Sequence, residues 1–268
     1  MITAGEALAS ARGLIEPAEA KLLLRHVLGC SAAELTAHPE RLLTASQSTR
    51  YAAFTERRAA GEPVAYLTGT REFYGRDFHV TPAVLIPRPE TELLVETVLQ
   101  KVKPGETPRI LDLGTGSGCI AITLALELDC AVTAVDISAE ALAVARGNAE
   151  RLGARVEFLE SDWFAKVAGA FDFIIGNPPY VAAGDPHLAQ GDLRFEPMTA
   201  LASGNDGLTA IRRILTDARC HLTTGGWLFI EHGYDQAEAM SQLFAEAGFH
   251  TIEQQRDLAG IIRISGGA

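Results

Sequence analysis

Arg109-Ile110-Leu111-Asp112-Leu113-Gly114-Thr115-Gly116-Ser117-Gly118-Cys119-Ile120 is the stretch whose reading decides the fold. A short apolar run, three alternate glycines and a second apolar run predict a strand, a tight turn and a helix. Glycines there allow close backbone approach to a ligand, and the helix N-terminus favours an anion. The third glycine comes one residue too early for Gly-x-Gly-x-x-Gly, and no Gly-Lys-Ser/Thr follows. A dinucleotide fingerprint and a P-loop are therefore disfavoured, and the motif alone could be a plain turn.

Toward the C-terminus the pattern repeats. Residues 110–113 read as a strand and 120–128 as a helix. Residues 131–135 read as a second strand, and Ser138 can cap a helix running through Leu152. Further strands are expected at 156–159, 171–175, 227–230, 250–254 and 261–265. Alternating βα units predict an α/β fold with a mostly parallel seven-stranded sheet and helices on both faces. Residues 177–207 lack periodicity, and long irregular segments in compact domains are often functional.

Toward the N-terminus the pattern is helical. Ala7, Ala11 and Leu14 are spaced for one face of a first helix, and Pro17 suits the first turn of a second. Leu22, Leu23, Val27 and Leu28 continue at helical spacing, Ser31 with Glu34 fits a capping box, and residues 51–60 precede a terminating Gly61. Glu72-Phe73-Tyr74 and Asp77-Phe78-His79-Val80 flank Gly75-Arg76 as a hairpin, after which Pro87 and Pro89 stiffen the chain. The expected division is a small all-helical domain over 1–75, a hairpin linker over 76–88 and an α/β domain over 89–268.

Composition narrows the function classes. The 268 residues are 47% hydrophobic and 21% charged, which excludes a disordered, collagen-like or coiled-coil chain. There are 23 basic against 34 acidic side chains, a net charge of −11. Residues 1–75 carry eight of each sign, so the whole excess lies in the remainder. Such a surface suits neither a phosphate backbone nor an anionic membrane. Cys30, Cys119, Cys130 and Cys220 form no Cys-x-x-Cys pair, so no metal site is expected. No leader-like start or membrane-length apolar run is seen, and a cytoplasmic monomer is expected.

Candidate site residues follow the strands. Asp136 ends the second strand, 24 residues after Asp112, where a carboxylate can accept from both hydroxyls of a ribose. Asp162-Trp163 follows the third and offers an acceptor for an exocyclic amine and a flat face for adenine. Together with Gly114, Thr115, Gly116 and Gly118 they predict a site for an adenosine bearing an anionic group. S-adenosylmethionine fits, and its sulfonium suits an acidic domain. Asn177-Pro178-Pro179-Tyr180 follows the fourth strand at the same sheet edge. The Asn177 side-chain oxygen and the Pro178 carbonyl can accept both hydrogens of a planar –NH2, while Tyr180 stacks on its plane. Attack on a methyl group then depends on positioning rather than a strong base. The motif alone leaves open whether that –NH2 belongs to an amide or an adenine.

These motifs resemble a class I S-adenosylmethionine-dependent methyltransferase with a Rossmann-like sheet. The flanking Glu62-Pro63-Val64-Ala65-Tyr66-Leu67-Thr68-Gly69, Phe73-Tyr74-Gly75, Leu85-Ile86-Pro87-Arg88-Pro89-Glu90-Thr91-Glu92, Asp185-Pro186-His187-Leu188 and Arg194-Phe195-Glu196-Pro197 resemble the HemK/PrmC family. Those enzymes are the bacterial peptide chain release factor glutamine methyltransferases. The resemblance implies methylation of the glutamine side-chain amide in the Gly-Gly-Gln motif of release factors, in translation termination, with the helical domain holding the release factor. Asn177, Pro178 and Tyr180 would be catalytic, with Pro179 also at the substrate. Gly114, Thr115, Gly116, Gly118, Asp136, Asp162, Trp163 and Asn177 would hold S-adenosylmethionine. Glutamine methylation of a ribosomal protein and adenine methylation of DNA or RNA remain alternatives; the neutral N-terminal and acidic C-terminal parts disfavour nucleic acid.

Overall fold

Side-chain caps delimit the first helices. Thr3 with Glu6, Ser31 with Glu34 and Thr44 with Gln47 form reciprocal capping boxes that open α1 (Ala4–Ser10), α3 (Ala32–Ala37) and α4 (Ala45–Ala59). Pro17 occupies the first turn of α2 (Pro17–Leu28), which Gly29 ends in the left-handed conformation. A short α5 (Val64–Thr68) follows. The structure is a computed structural model and describes residues 2–268. It divides into two compact units, the first made of residues up to Thr70 together with Gln190–Phe195.

This helical unit buries Ala7, Leu23, Leu24, Leu43 and Tyr51 in its own core. Leu14 was expected on the first helical face but is 58% exposed. Helix α1 stops at Ser10, and the chain turns at Gly13 (φ 78°) before α2 begins. Arg58 ties Gln190–Phe195 into the unit. Its Nε donates to Glu19 Oε2 (2.9 Å) and its Nη1 to Asp192 Oδ1 (2.8 Å). Nearby, Arg194 donates to the Ala60 carbonyl (2.5 Å).

The second unit, Arg71–Ala189 with Glu196–Ala268, is the α/β part. A two-stranded hairpin pairs β1 (Thr70–Phe73) with β2 (Arg76–His79). Its turn is Tyr74-Gly75, both at positive φ, rather than the expected Gly75-Arg76. Two left-handed residues match the twist of the flanking strands. The first strand thus falls within residues 1–75 and the second within the 76–88 linker. It is followed by α6 (Glu92–Lys101), β3 (Ile110–Leu113), α7 (Cys119–Leu128), β4 (Val132–Asp136), α8 (Ala139–Leu152), β5 (Val156–Glu160) and β6 (Phe171–Gly176). Then come α9 (Met198–Leu201), α10 (Thr209–Ala218), β7 (Leu222–Glu231), α11 (Ala237–Glu246), β8 (Ile252–Arg256) and β9 (Ile262–Gly267).

The sheet order is β5-β4-β3-β6-β7-β9-β8, and β9 alone runs against the other six strands, pairing antiparallel with both β7 and β8. Alternate side chains enter two cores. Ile110, Phe173 and Phe229 join α6 and α7 on one face, while Leu111, Ile174 and Leu228 join α10 and α11 on the other. The chain runs outward from β3 to β5, then returns to place β6 on the other side of β3. That reversal is a topological switch point, where ligands enter crevices at the carboxyl ends of strands. Leu113 pairs with Gly176, so Gly114 and Asn177 leave the sheet side by side. No helix among the described residues is long and apolar enough to cross a membrane.

Candidate active site

At the switch point opens a cavity of about 410 Å³, within the range of small-molecule sites. Gly114, Thr115, Gly116, Asp136, Asp162, Trp163, Asn177, Pro178 and Pro179 all line it. All nine come from the ends of β3 to β6 or just beyond, because each strand ends where its apolar run meets a turn.

The glycine turn is built by hydrogen bonds at its base. The N–H groups of Gly114 and Thr115 both donate to the Val135 carbonyl (2.9 Å each). Gly116 N–H donates to Asp136 Oδ2 (2.9 Å), and Ser138 N–H donates to Asp136 Oδ1 (2.9 Å). Each carboxylate oxygen has a second acceptor position, so Asp136 keeps two for a ribose diol. Burial raises its pKa, and those two backbone donors pull it back. Space beside Gly116 is open. Gly118 has a different position from the one expected: it lies outside the cavity lining, and a Cβ there would meet Ile122 Cδ1 at 2.8 Å and Ala145 Cβ at 3.2 Å. It permits the turn and the close packing of α7 on α8.

Asp112 is buried beneath this turn, with Oδ2 accepting from the Thr115 hydroxyl (2.7 Å) and Oδ1 without a hydrogen-bond partner among the described residues. Burial pushes its carboxyl up to about 7 against the Thr115 hydrogen bond. An orphaned buried carboxyl beside an open glycine turn, with a diol acceptor on the next strand, fits a cationic adenosyl ligand. Asp162 gives one oxygen to Arg213 (2.7 Å), also in the lining. The Trp163 ring lies against Gly114, where an added Cβ would stand 3.4 Å from it.

The reactive loop is held from several sides. Asn177 Nδ2 donates to the Thr91 hydroxyl (3.2 Å). Asn177 Oδ1 and the Pro178 carbonyl take no hydrogen bond from any described residue. Tyr180 is absent from the cavity lining: its hydroxyl donates to Glu231 Oε1 (3.3 Å) and its carbonyl accepts from Gln236 Nε2 (3.0 Å). Burial and the neighbouring Glu231 charge raise the tyrosine pKa. Glu231 is itself buried, and burial pushes its carboxyl up to about 7. The loop returns through a parallel bridge between Val181 and Ala202 to Gly207, where a Cβ would stand 2.2 Å from the Tyr180 carbonyl oxygen. Arg88 lines the cavity and pairs with the buried Glu196, whose Oε2 accepts from Ile86 N–H (3.1 Å).

Comparison with known proteins agrees with this arrangement. A family model described as the PrmC N-terminal domain matches residues 2–69, and one described as the methyltransferase small domain matches residues 89–192. The "Release factor glutamine methyltransferase" of Bordetella pertussis is 53% identical over 252 residues, covering 93% of each chain. That of Escherichia coli is 45% identical, covering 92% of this chain and 90% of its own. The chain belongs to the release factor glutamine methyltransferase family. Among solved structures, a Pyrococcus furiosus methyltransferase aligns with TM-score 0.54 at 20% identity, covering 83% of this chain and 97% of its own. A T. thermophilus 16S rRNA methyltransferase in complex with AdoMet and guanosine aligns with TM-score 0.54 at 20% identity, covering 74% of this chain and 49% of its own. At such identities these two establish the fold alone, the methyltransferase sheet.

Four residues at this site of the release factor glutamine methyltransferase family member escape sequence reasoning as functional groups. Thr91, Glu231 and Gln236 are single polar residues whose partners lie far along the chain. Arg213 is visible only as one charge on α10. The one signal for Glu231 is a lone carboxylate closing an apolar strand, Leu228-Phe229-Ile230-Glu231.

Proposed function

We propose that this chain methylates the side-chain amide nitrogen of the glutamine in the Gly-Gly-Gln motif of peptide chain release factors, using S-adenosylmethionine. The carrying observation is the pair of free acceptors, Asn177 Oδ1 and the Pro178 carbonyl, beside the cavity lined by Gly114, Gly116 and Asp136. S-adenosylmethionine supplies a methyl group on a sulfonium, which needs no further activation of the leaving group. Asp136 is suited to the ribose, Gly116 to close approach of the ligand, and Asp162 and Trp163 to the base. Asn177 Oδ1 and the Pro178 carbonyl accept the two amide hydrogens and aim the nitrogen at the methyl carbon; as the N–C bond forms the S–CH3 bond breaks, S-adenosylhomocysteine leaves and one nitrogen hydrogen passes to water. Holding both partners in attack geometry is worth orders of magnitude in rate. Pro179 shapes the wall beside them, and Tyr180 fixes the loop through Glu231 and Gln236.

The helical unit is the release-factor-binding part in this reading. Its sequence matches its own family model, and it carries eight basic and eight acidic side chains when Gln190–Phe195 is included. That balance suits a protein partner better than a phosphate backbone. The test offers methyl-labelled S-adenosylmethionine with intact release factor, release factor whose Gly-Gly-Gln glutamine is alanine, ribosomal protein or DNA. Label is expected on intact release factor alone. Label on DNA, or equal label on the alanine form, would overturn the proposal. Asn177→Ala should keep cofactor affinity within about threefold and lower kcat by at least about a hundredfold.

A further inference from the structure

An asparagine amide can face a substrate with its oxygen or with its NH2, and only the oxygen can accept from a planar –NH2. The structure shows what selects between the two at Asn177. Its Nδ2 points to the Thr91 hydroxyl at 3.2 Å, which leaves Oδ1 turned away from that contact. Thr91 is 3% exposed, so its hydroxyl is largely shielded from solvent. A hydroxyl has one hydrogen to give and lone pairs to receive. In the structure the Thr91 oxygen receives an N–H of Asn177, so the amide NH2 is held there. At the other end of the loop, Tyr180 donates its hydroxyl to the buried Glu231 carboxyl (3.3 Å).

We infer that Thr91 is a positioning residue that sets the facing of the Asn177 amide, its hydroxyl oxygen holding Nδ2 so that Asn177 Oδ1 is presented to the substrate nitrogen. It does not touch the reacting atoms and acts through Asn177, while Glu231 seats Tyr180. One buried side chain at each end thereby orders Asn177-Pro178-Pro179-Tyr180. Supporting side chains of this kind lock reacting groups into productive geometry. The kinetic consequence rests on the methyl-transfer reading above; the amide orientation does not.

The experiment uses the full chain with ¹⁵N-labelled asparagine and the variants Thr91→Val and Thr91→Ser. Hydrogen exchange of the Asn177 side-chain amide is followed by NMR, its signal assigned by its loss in Asn177→Ala. Cofactor affinity, kcat and KM toward release factor are measured alongside. In wild type and Thr91→Ser one Nδ2 hydrogen should exchange at least tenfold more slowly than in exposed asparagines. Thr91→Val should lose that protection and at least tenfold in kcat, with cofactor affinity within twofold, and Thr91→Ser should recover kcat to within about threefold. Unprotected Asn177 in wild type, or unchanged protection and kcat in Thr91→Val, would overturn the inference. A wild-type chain that labels no release factor would sink the functional proposal, while the exchange measurement still decides this one.

Discussion

Glu231 closes β7 with its carboxyl sealed from water, and burial holds its pKa at about 7 against an ordinary 4.5. The folded protein therefore binds this proton more tightly than the unfolded chain does. Its contribution to stability is fully present below about 4.5 and is lost as pH rises toward about 7. Glu231→Gln removes the ionisation, so its unfolding free energy in chemical denaturation should gain on that of wild type between pH 5 and pH 8. The gain should be at most about 3 kcal/mol, with most of it below pH 7. A difference that stays flat across this range would show that the carboxyl is already ionised at pH 5. Asp112 shifts in the same direction for the same reason, with the nearby Asp136 charge adding to it. Neither shift could be read from the sequence. Asp112 and Glu231 look there like ordinary strand-end carboxylates, and only the tertiary fold removes their water.

The elements were more legible than their joints. Residues 110–113 and the helix capped by Ser138 came through because their signals are local: an apolar run, a turn, a cap. Strand β7 begins five residues before the expected 227, since Thr223, Thr224, Gly225 and Gly226 form an irregularity between Leu222, paired with Phe171, and Trp227, paired with Phe173. Helix α5 was not expected, being five residues long and opened only by Pro63. The site followed the same rule. Asn177 and Asp136 stood out by their place at strand ends, but Asn148 on α8 did not. Asn148 is fully buried; it accepts from His79 N–H (2.7 Å) and donates to the His79 and Ser117 carbonyls (2.9 Å each). It thereby joins the hairpin to the glycine turn. Asn148→Ala should destabilise the protein by about 2–4 kcal/mol in chemical denaturation. Asn148→Asp should fall close to it, because a carboxylate cannot make the two donations. Gly207→Ala should lower stability and kcat together, since its Cβ would displace the Tyr180 carbonyl. A Gly207→Ala protein with wild-type kcat would show that this end of the loop moves freely.

At the scale of the molecule, charge and connectivity divide the labour. The helical unit is neutral, and the whole net charge of −11 belongs to the α/β unit that carries the cavity. Arg58 is the clasp of the helical unit, gripping Glu19, Asp192 and the Gly61 and Glu62 carbonyls at once. Arg58→Ala should raise amide hydrogen exchange within residues 190–195 by at least tenfold, read by mass spectrometry, while residues 110–113 keep their protection. Equal protection in the variant would mean that Arg194 and its neighbours suffice. That six-residue segment was legible only as part of an irregular stretch, because its partners precede it by more than a hundred residues.

Gln190–Phe195 also bears on heredity. The family model for the N-terminal domain stops at residue 69, yet the structural unit takes six residues from the middle of the other one. The gene therefore does not hold the helical part as a detachable cassette. A recombination that exchanged only the first 70 codons would deliver new helices against an old 190–195 segment, with Arg58 facing whatever that segment then offered. Exchange between relatives should succeed where both stretches travel together, and the two have reason to change in step.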